Sequence, residues 1–161
     1  DFGKVVQKYS DAKQKEITSL EIKELFYNEY VNIDHPLSLK KFKLEMLDGS
    51  NENNFTGTFE LSINQTELTV TGSGNGPIDA LTNEIKKLFG LSFRISEYME
   101  SALEEGSNAR AVCYIAVRHN TQEMYGVGIN SNTVLASLEA LLVSINRTFP
   151  DLVLPTETIT A

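Results

Sequence analysis

Apolar and polar residues alternate along three successive stretches in the first half of the chain, and such alternation is the period of a half-buried β-strand. The first two stretches begin at Leu37 and Phe55. After the third, apolar residues recur every three or four positions from Ile78 and stop at Gly90, which predicts an amphipathic helix with a glycine C-cap. The pattern therefore predicts a βββα unit over residues 37–90.

The same order of elements returns in the second half of the chain. Stretches around Phe93, Cys113 and Val127 alternate as strands do, and helical spacing of apolar residues follows them. Residues 91–150 are thus predicted to form a second βββα unit. A repeat of about 55 residues, in which each unit buries one face against its twin, predicts an α+β domain over residues 37–150 with pseudo-twofold symmetry.

The two ends of the chain carry no strand pattern. Residues 1–16 are mostly polar and are predicted to form an extended arm. Thr18 and Glu21 have the spacing of a capping box, which predicts the start of a helix. Residues 1–36 are therefore predicted to be a linker arm with a helix, and the threonine- and proline-rich residues 151–161 a flexible tail.

Composition and charge exclude several classes of protein. The 161 residues carry a formal net charge of −8, which opposes nucleic-acid binding because phosphate contacts need a basic face. No apolar run approaches the roughly 20 residues that span a bilayer, so no membrane partner is expected. The lone Cys113 cannot form an internal disulfide, which fits a reducing compartment and predicts a cytoplasmic protein. Because the first residue is not methionine, we expect a piece of a longer polypeptide.

A glycine-dense segment, residues 72–80, joins the third strand to the first predicted helix. Its glycines allow positive φ angles or the close approach of another group. Pro77 fits the first turn of a helix, and the amides of Ile78, Asp79 and Ala80 are predicted to point unpaired into the loop. Such a helix start attracts a carboxylate or phosphate, which predicts a site for a small anionic or zwitterionic ligand. The alternative is a tight turn with no ligand.

A second candidate feature surrounds Tyr98. Strand alternation from Phe93 and Ile95 would bury Glu97. Either a β-bulge or an exit from the strand near Ser96 avoids this and brings Tyr98 toward the junction of the two units. The residues that follow include several with very small side chains, namely Ala102, Gly106, Ala109 and Ala111. Small side chains in one region either leave room for a ligand or allow a strand and a helix to pack closely.

Other reactive residue types give weaker signals. Cys113 lies in the middle of an apolar strand, so a buried structural thiol is predicted rather than a nucleophile. His35 and His119 are far apart in sequence without metal-ligand spacing, so no metal site is expected. An acidic run is typical of a solvated face, although it offers alternatives: a cation site or an anchor for a ligand ammonium. The run comprises Glu97, Glu100, Glu104 and Glu105.

Taken together, these motifs resemble the C-terminal regulatory domain of 2-isopropylmalate synthases. The resemblance rests on residues 74–80, 98–102, 126–129 and 136–147, and it extends over about residues 37–147. In that family the enzyme condenses acetyl-CoA with 2-oxoisovalerate in a metal-dependent barrel and is inhibited by leucine. The resemblance implies a non-catalytic domain without a cofactor of its own, because the divalent metal would belong to the barrel. Its implied partners are L-leucine, that barrel and a second copy in a homodimer.

The resemblance also implies a leucine site. The implied residues are Gly74, Asn75, Gly76, Pro77, Ile78, Asp79, Ala80, Ile95, Tyr98, Ala102, Ala109, Ala111 and Thr133. On this view the helix start holds the leucine carboxylate, and the alanines and Ile95 surround the isobutyl group. Two alternatives remain open: the regulatory domain of a citramalate synthase that senses isoleucine, and a purely structural dimerisation module.

Overall fold

A computed structural model describes residues 2–13, 18–46 and 55–155. Its elements confirm the two predicted βββα units. In chain order they are α1 (Phe2–Lys13), α2 (Ser19–Phe26), a π-helical turn (Tyr27–Val31), β1 (Leu37–Met46), β2 (Phe55–Ile63), β3 (Thr66–Gly74), α3 (Pro77–Phe89), β4 (Arg94–Ala102), β5 (Ala111–His119), β6 (Gln122–Asn130) and α4 (Thr133–Thr148). None of the helices described is both long enough and apolar enough to cross a membrane.

The strands form two antiparallel three-stranded sheets, ordered β1-β2-β3 and β4-β5-β6. Helix α3 packs on β2 and β3, whereas α4 packs on β5 and β6. Both first strands contain a bulge at an equivalent place, between Leu39 and Lys41 in β1 and between Ile95 and Glu97 in β4. Of the two alternatives predicted near Ser96, a bulge or a strand exit, the structure shows the bulge, and its twin in β1 matches the predicted repeat.

Glycines on the last strand of each unit let the helix backbone lie directly on the sheet. A Cβ on Gly128 would collide with the carbonyl oxygen of Ala136, and one on Gly126 with that of Ala140. In the first unit a Cβ on Gly72 would lie 2.8 Å from the carbonyl oxygen of Ala80. Close approach, rather than a positive φ angle, therefore explains these glycines.

The two units share one hydrophobic core. Its fully buried side chains come from both sheets and from both long helices: Leu37, Phe59, Leu61, Leu81, Ile85, Ile115, Leu138, Leu141 and Ile145. Burial of each such side chain contributes about 1.5–3 kcal/mol. Contacts between α3 and α4 and between α4 and β1 join the units, so the pseudo-twofold pair behaves as one packed body.

The N-terminal segment differs from the predicted extended arm. Residues 2–13 form a helix, and Phe2 packs edge-on against Phe26 (5.5 Å between ring centroids) and Tyr30 (5.7 Å). Helix formation is explained by apolar residues at helical spacing, Phe2, Val5, Val6 and Tyr9, which form one stripe. These aromatic rings cover the face of the second sheet that lies opposite α4. Residues 1 and 14–17 lie outside the described part of the chain.

Two smaller predictions concern the ends of elements. The capping box is confirmed, since the Thr18 hydroxyl accepts from the Glu21 amide and the Glu21 carboxylate accepts from the Thr18 amide. The predicted flexible tail is anchored at its beginning, where Leu152 is buried and its carbonyl accepts a hydrogen bond from Asn64. Residues 156–161 of that tail lie outside the described residues.

Candidate functional site

The starts of α3 and α4 meet at a cleft of about 320 Å³, beside one face of β4. This volume is at the lower end of the range for small-molecule sites. The lining residues are Asn75, Gly76, Pro77, Ile78, Asp79, Tyr98, Glu100, Thr133, Val134 and Ser137. The two helix starts come from different units, so the cleft exists only because the units pack together.

The start of α3 offers backbone donors to the cleft. Gly76 is the extended N-cap and Pro77 occupies the first turn, as predicted. The amides of Ile78 and Asp79 make no hydrogen bond within the described residues. The Ala80 amide differs from the prediction, because it donates to the Gly76 carbonyl (3.0 Å) in the first turn of the helix.

A carboxylate of the protein already lies at this helix start. Asp79 Oδ2 accepts a hydrogen bond from the backbone amide of Asn75 at 2.9 Å. An acidic side chain in the first turn stabilises the positive end of the helix dipole. The α3 start therefore carries less positive potential than an uncapped one, and a highly charged anion gains less there.

The start of α4 is capped by asparagines. The Asn132 side chain accepts from the Leu135 amide at 3.0 Å, and the Asn130 side chain accepts from the Asn132 amide at 2.9 Å. The amides of Thr133 and Val134 make no hydrogen bond within the described residues. Four backbone donors from two helices therefore point to one region.

Tyr98 and Glu100 supply the polar wall of the cleft. The Tyr98 hydroxyl donates to Glu100 Oε2 at 2.7 Å. The two residues share a face of β4, since they pair with Ile115 and Cys113 respectively on β5. Burial, followed by the hydrogen bond to Glu100, raises the pKa of Tyr98 well above its ordinary value. Tyr98 is therefore a neutral donor at physiological pH.

The structure brings together seven of the thirteen predicted site residues and places the other six outside the cleft. Gly74, Ala80 and Ala111 do not line the cleft. Ala80 and Ala111 are buried in the core. Ile95 also packs against the core. Ala102 is exposed at the end of β4, and Ala109 lies in the following loop. The small residues Ala102, Ala109 and Ala111 therefore do not line this cleft.

Three lining residues are absent from the predicted set: Glu100, Val134 and Ser137. Glu100 lies in the acidic run, for which an ammonium anchor is one of the alternatives that the sequence offers. It is two residues after Tyr98, so both side chains lie on the same face of the strand. Ser137 follows Thr133 by one helical turn and donates to the Val134 carbonyl at 2.7 Å. Their spacing from predicted residues is the signal that could have found them.

The surroundings of Cys113 and Glu104 indicate structural rather than catalytic roles. Cys113 is fully buried, and burial together with the charge of Glu100 raises the pKa of its thiol. A thiol with a raised pKa is a poor nucleophile. Glu104 pairs with Arg110 at 2.9 Å rather than joining an acidic cluster. In the described ranges no three histidine, cysteine, aspartate or glutamate residues are grouped so that they could hold a metal ion.

Fold and cleft together define a class: a duplicated βββα domain with a small cleft, mainly apolar but with one polar wall, at the joint between its halves. Residues 16–149 match the family model described as the LeuA allosteric (dimerisation) domain, and the chain belongs to this family. The family resemblance drawn from the sequence motifs is thereby confirmed.

Several curated relatives share most of this chain, and all three named here are 2-isopropylmalate synthases. The relative from Paraburkholderia xenovorans is 38% identical over 92% of this chain and 25% of its own length. Those from Acetoanaerobium sticklandii and Helicobacter hepaticus are 36% and 30% identical over 91% of this chain, and 26% and 27% of their own lengths. The chain thus spans about a quarter of the length of these relatives.

Proposed function

We propose that this domain binds L-leucine in the cleft and thereby regulates a 2-isopropylmalate synthase of which it is a part. The observation that carries the proposal is the convergence of four unpaired amides, from the starts of α3 and α4, beside the Tyr98–Glu100 pair. Unpaired amides at a helix start bind a carboxylate. A glutamate opposite them accepts an ammonium group.

The charges of the cleft favour a zwitterion over a simple anion. Among the lining residues that the structure describes, the charged side chains are two carboxylates, those of Asp79 and Glu100. Each helix start contributes only about half a positive charge. A phosphate or dicarboxylate therefore meets net repulsion, whereas an amino acid offers its ammonium to Glu100 and its carboxylate to the amides.

The apolar part of the cleft fits a short branched side chain. Pro77, Ile78 and Val134 contribute apolar surface near the helix starts. A methylene-sized difference between ligands is worth about 1–3 kcal/mol in such a pocket. The relatives' name, 2-isopropylmalate synthase, favours leucine as the effector, and isoleucine is the ligand expected of a citramalate synthase.

The proposal extends to the whole polypeptide. The relatives are enzymes of roughly four times this length, so the condensation of acetyl-CoA with 2-oxoisovalerate, and the divalent metal it uses, are assigned to a separate catalytic barrel. The domain itself is non-catalytic and cytoplasmic. Homodimer formation is part of the proposal, supported by the family description and by exposed apolar side chains on the first strands of both sheets, Met46 and Met99.

Calorimetric titration of the chain with leucine, isoleucine and valine tests the proposal. A hydrogen bond to a charged group contributes about 1.5–3 kcal/mol, so Glu100→Gln should weaken leucine binding at least tenfold. Glu104→Gln, which changes a glutamate outside the cleft, is the matched control and should bind leucine like the parent. 4-Methylpentanoate, which lacks the ammonium group, should bind Glu100→Gln at least as tightly as it binds the parent, because the substitution removes a repelling carboxylate.

Three results would contradict the proposal in different ways. No heat with any of the three amino acids would favour the purely structural dimerisation module. Tighter binding of isoleucine than leucine would favour the citramalate synthase alternative. Equal weakening by Glu100→Gln and Glu104→Gln would remove the assigned role of the cleft glutamate.

A further inference from the structure

Helix α4 connects the candidate cleft to the segment that precedes β1. Thr133 and Val134, at its beginning, line the cleft. Asn146 follows Thr133 by 13 residues, which is about 20 Å along the axis of an α-helix. Near its far end the helix contacts the π-helical turn and β1. One continuous element therefore touches both regions.

Asn146 ties the far end of α4 to the chain just before and at the beginning of β1. Its side-chain oxygen accepts from the Leu37 amide at 2.9 Å, and its side-chain nitrogen donates to the carbonyls of Leu37 (2.8 Å) and Ile33 (3.0 Å). The residue is only 2% exposed. Removing a buried hydrogen-bonding group leaves its partners unsatisfied at about 1–3 kcal/mol each, so this connection holds one geometry.

Arg147 makes a second connection, to the π-helical turn. Its guanidinium donates to Glu29 at 3.1 Å and to the Tyr125 carbonyl at 2.5 Å, and it lies 4.5 Å from the centre of the Tyr30 ring. The Arg147 side chain is 11% exposed. A stacked guanidinium with several fixed acceptors is a specific geometric contact that lysine cannot reproduce.

The close packing of α4 means that its two ends cannot move independently of each other. Its backbone rests directly on Gly126 and Gly128, with no side chain between helix and strand. Closely packed interfaces shift between discrete arrangements rather than deforming continuously. A displacement at the cleft end is therefore carried to Asn146 and Arg147. Helix α3 begins at the same cleft, but Phe89 at its end packs against the hydrophobic core, and Lys86 lies over the Phe93 ring.

We propose that Asn146 and Arg147 are positioning residues that couple ligand binding in the cleft to the segment 29–37. This inference rests on the proposed function, because it concerns how leucine binding changes the enzyme rather than how leucine is held. Ligand regulation requires two arrangements with different affinities. Here the two arrangements are two positions of α4, and the hydrogen bonds at its far end make segment 29–37 follow.

The experiment uses the full-length enzyme that contains this domain. Arg147→Met removes the guanidinium and keeps an unbranched side chain for packing. The readout is the fraction of the condensation rate that remains at saturating leucine, followed as thiol release from acetyl-CoA. This plateau does not depend on affinity. We expect leucine still to bind, and the residual rate at saturation to rise at least threefold above that of the wild-type enzyme.

Two further variants make the result specific. Glu29→Gln weakens the same connection from the segment side at a partly exposed position (38% for the side chain), so it tests coupling even if Arg147→Met fails to fold. It should raise the plateau in the same direction. Arg118→Met is the matched control, because Arg118 pairs with Glu123 on the neighbouring strand at 3.1 Å. It should be inhibited as fully as the wild type.

The possible outcomes distinguish a failure of the proposed function from a failure of the coupling. If the wild-type enzyme binds no leucine, the proposed function fails and the coupling fails with it. If the wild-type enzyme binds leucine and is inhibited, but Glu29→Gln and every folded Arg147 variant reach the same plateau as wild type, only the coupling is overturned. A raised plateau in Arg118→Met as well would also overturn it, because the effect would not be specific to the connection.

Discussion

Substituting Gly74→Ala should displace the start of α3, because Gly74 is a point of direct contact between β3 and that helix. A Cβ at this position would lie 2.7 Å from the Ala80 nitrogen and 2.6 Å from Asp79 Oδ2. Ordinary contact of a Cβ begins at 3.4 Å, so the backbone of α3 must retreat by about 0.7 Å, the difference between 3.4 and 2.7 Å. The displaced segment carries the amides that line the cleft.

The size of the effect follows from this displacement. Overpacking costs about 1–3 kcal/mol, and losing the Asn75–Asp79 hydrogen bond adds about 1 kcal/mol. In a domain of this size each kcal/mol lowers Tm by about 2–4 °C, so a total cost of about 2–4 kcal/mol should lower Tm by about 4–16 °C. A retreat of 0.7 Å also takes a hydrogen bond of about 2.9 Å beyond useful length. Leucine affinity should therefore fall about tenfold or more.

Thermal unfolding followed by circular dichroism, together with leucine titration calorimetry, measures both effects. Gly3→Ala is the matched control, since a Cβ on this helical glycine would meet nothing within 4 Å. It should leave leucine binding unchanged and leave Tm equal or slightly raised, because alanine loses less backbone entropy than glycine. A Gly74→Ala protein with Tm within about 2 °C of the parent and unchanged leucine affinity would refute the reasoning.

Three further predictions test single contacts. Tyr98→Phe removes the hydroxyl that donates to Glu100 and should weaken leucine binding about three- to tenfold in calorimetry; an unchanged affinity would exclude the hydroxyl from the site. The hydrogen bond from Tyr125 to Glu97 raises the pKa of Tyr125 to about 12, so its stabilisation is present below pH ~10 and lost as pH rises through ~12. Tyr125→Phe should flatten this loss in urea unfolding between those values, and an identical slope would contradict it. Leu152→Ala should cost about 2–4 kcal/mol in the same urea assay, and a cost below ~1 kcal/mol would show that the chain end is not anchored.

The sequence contained enough local information to predict most of the fold. Strand alternation and helical spacing act over a few residues, so both βββα units follow from them. A bulge or a strand exit near Ser96 could be deduced because Glu97 would otherwise be buried, but the alternation does not distinguish between the two. The first helix is not evident from the sequence because its few apolar residues, which include Phe2 and Tyr9, lie in an otherwise polar segment, and that composition predicts an extended arm.

The cleft was predictable only where its residues are local. The turn at Pro77 identifies a helix start because the signal is contained in the turn itself. Strand register shows that Tyr98 and Ala102 share a face, but not how far along β4 the helix starts lie. The position of the helix starts along β4 depends on tertiary packing. As a result Glu100 lines the cleft and Ala102 does not.

Duplication followed by divergence explains why the chain has this cleft at the joint of its halves. Tyr98 and Glu100 follow the bulge of β4 as Phe42 and Leu44 follow the bulge of β1. In the first unit these positions are apolar and pack against the core, whereas in the second they supply a donor and a carboxylate. The polar wall thus comes from one unit, while the helix starts come from both. A ligand that contacts both starts has its full affinity only for the arrangement in which they meet, and this differential affinity is the physical requirement for regulation.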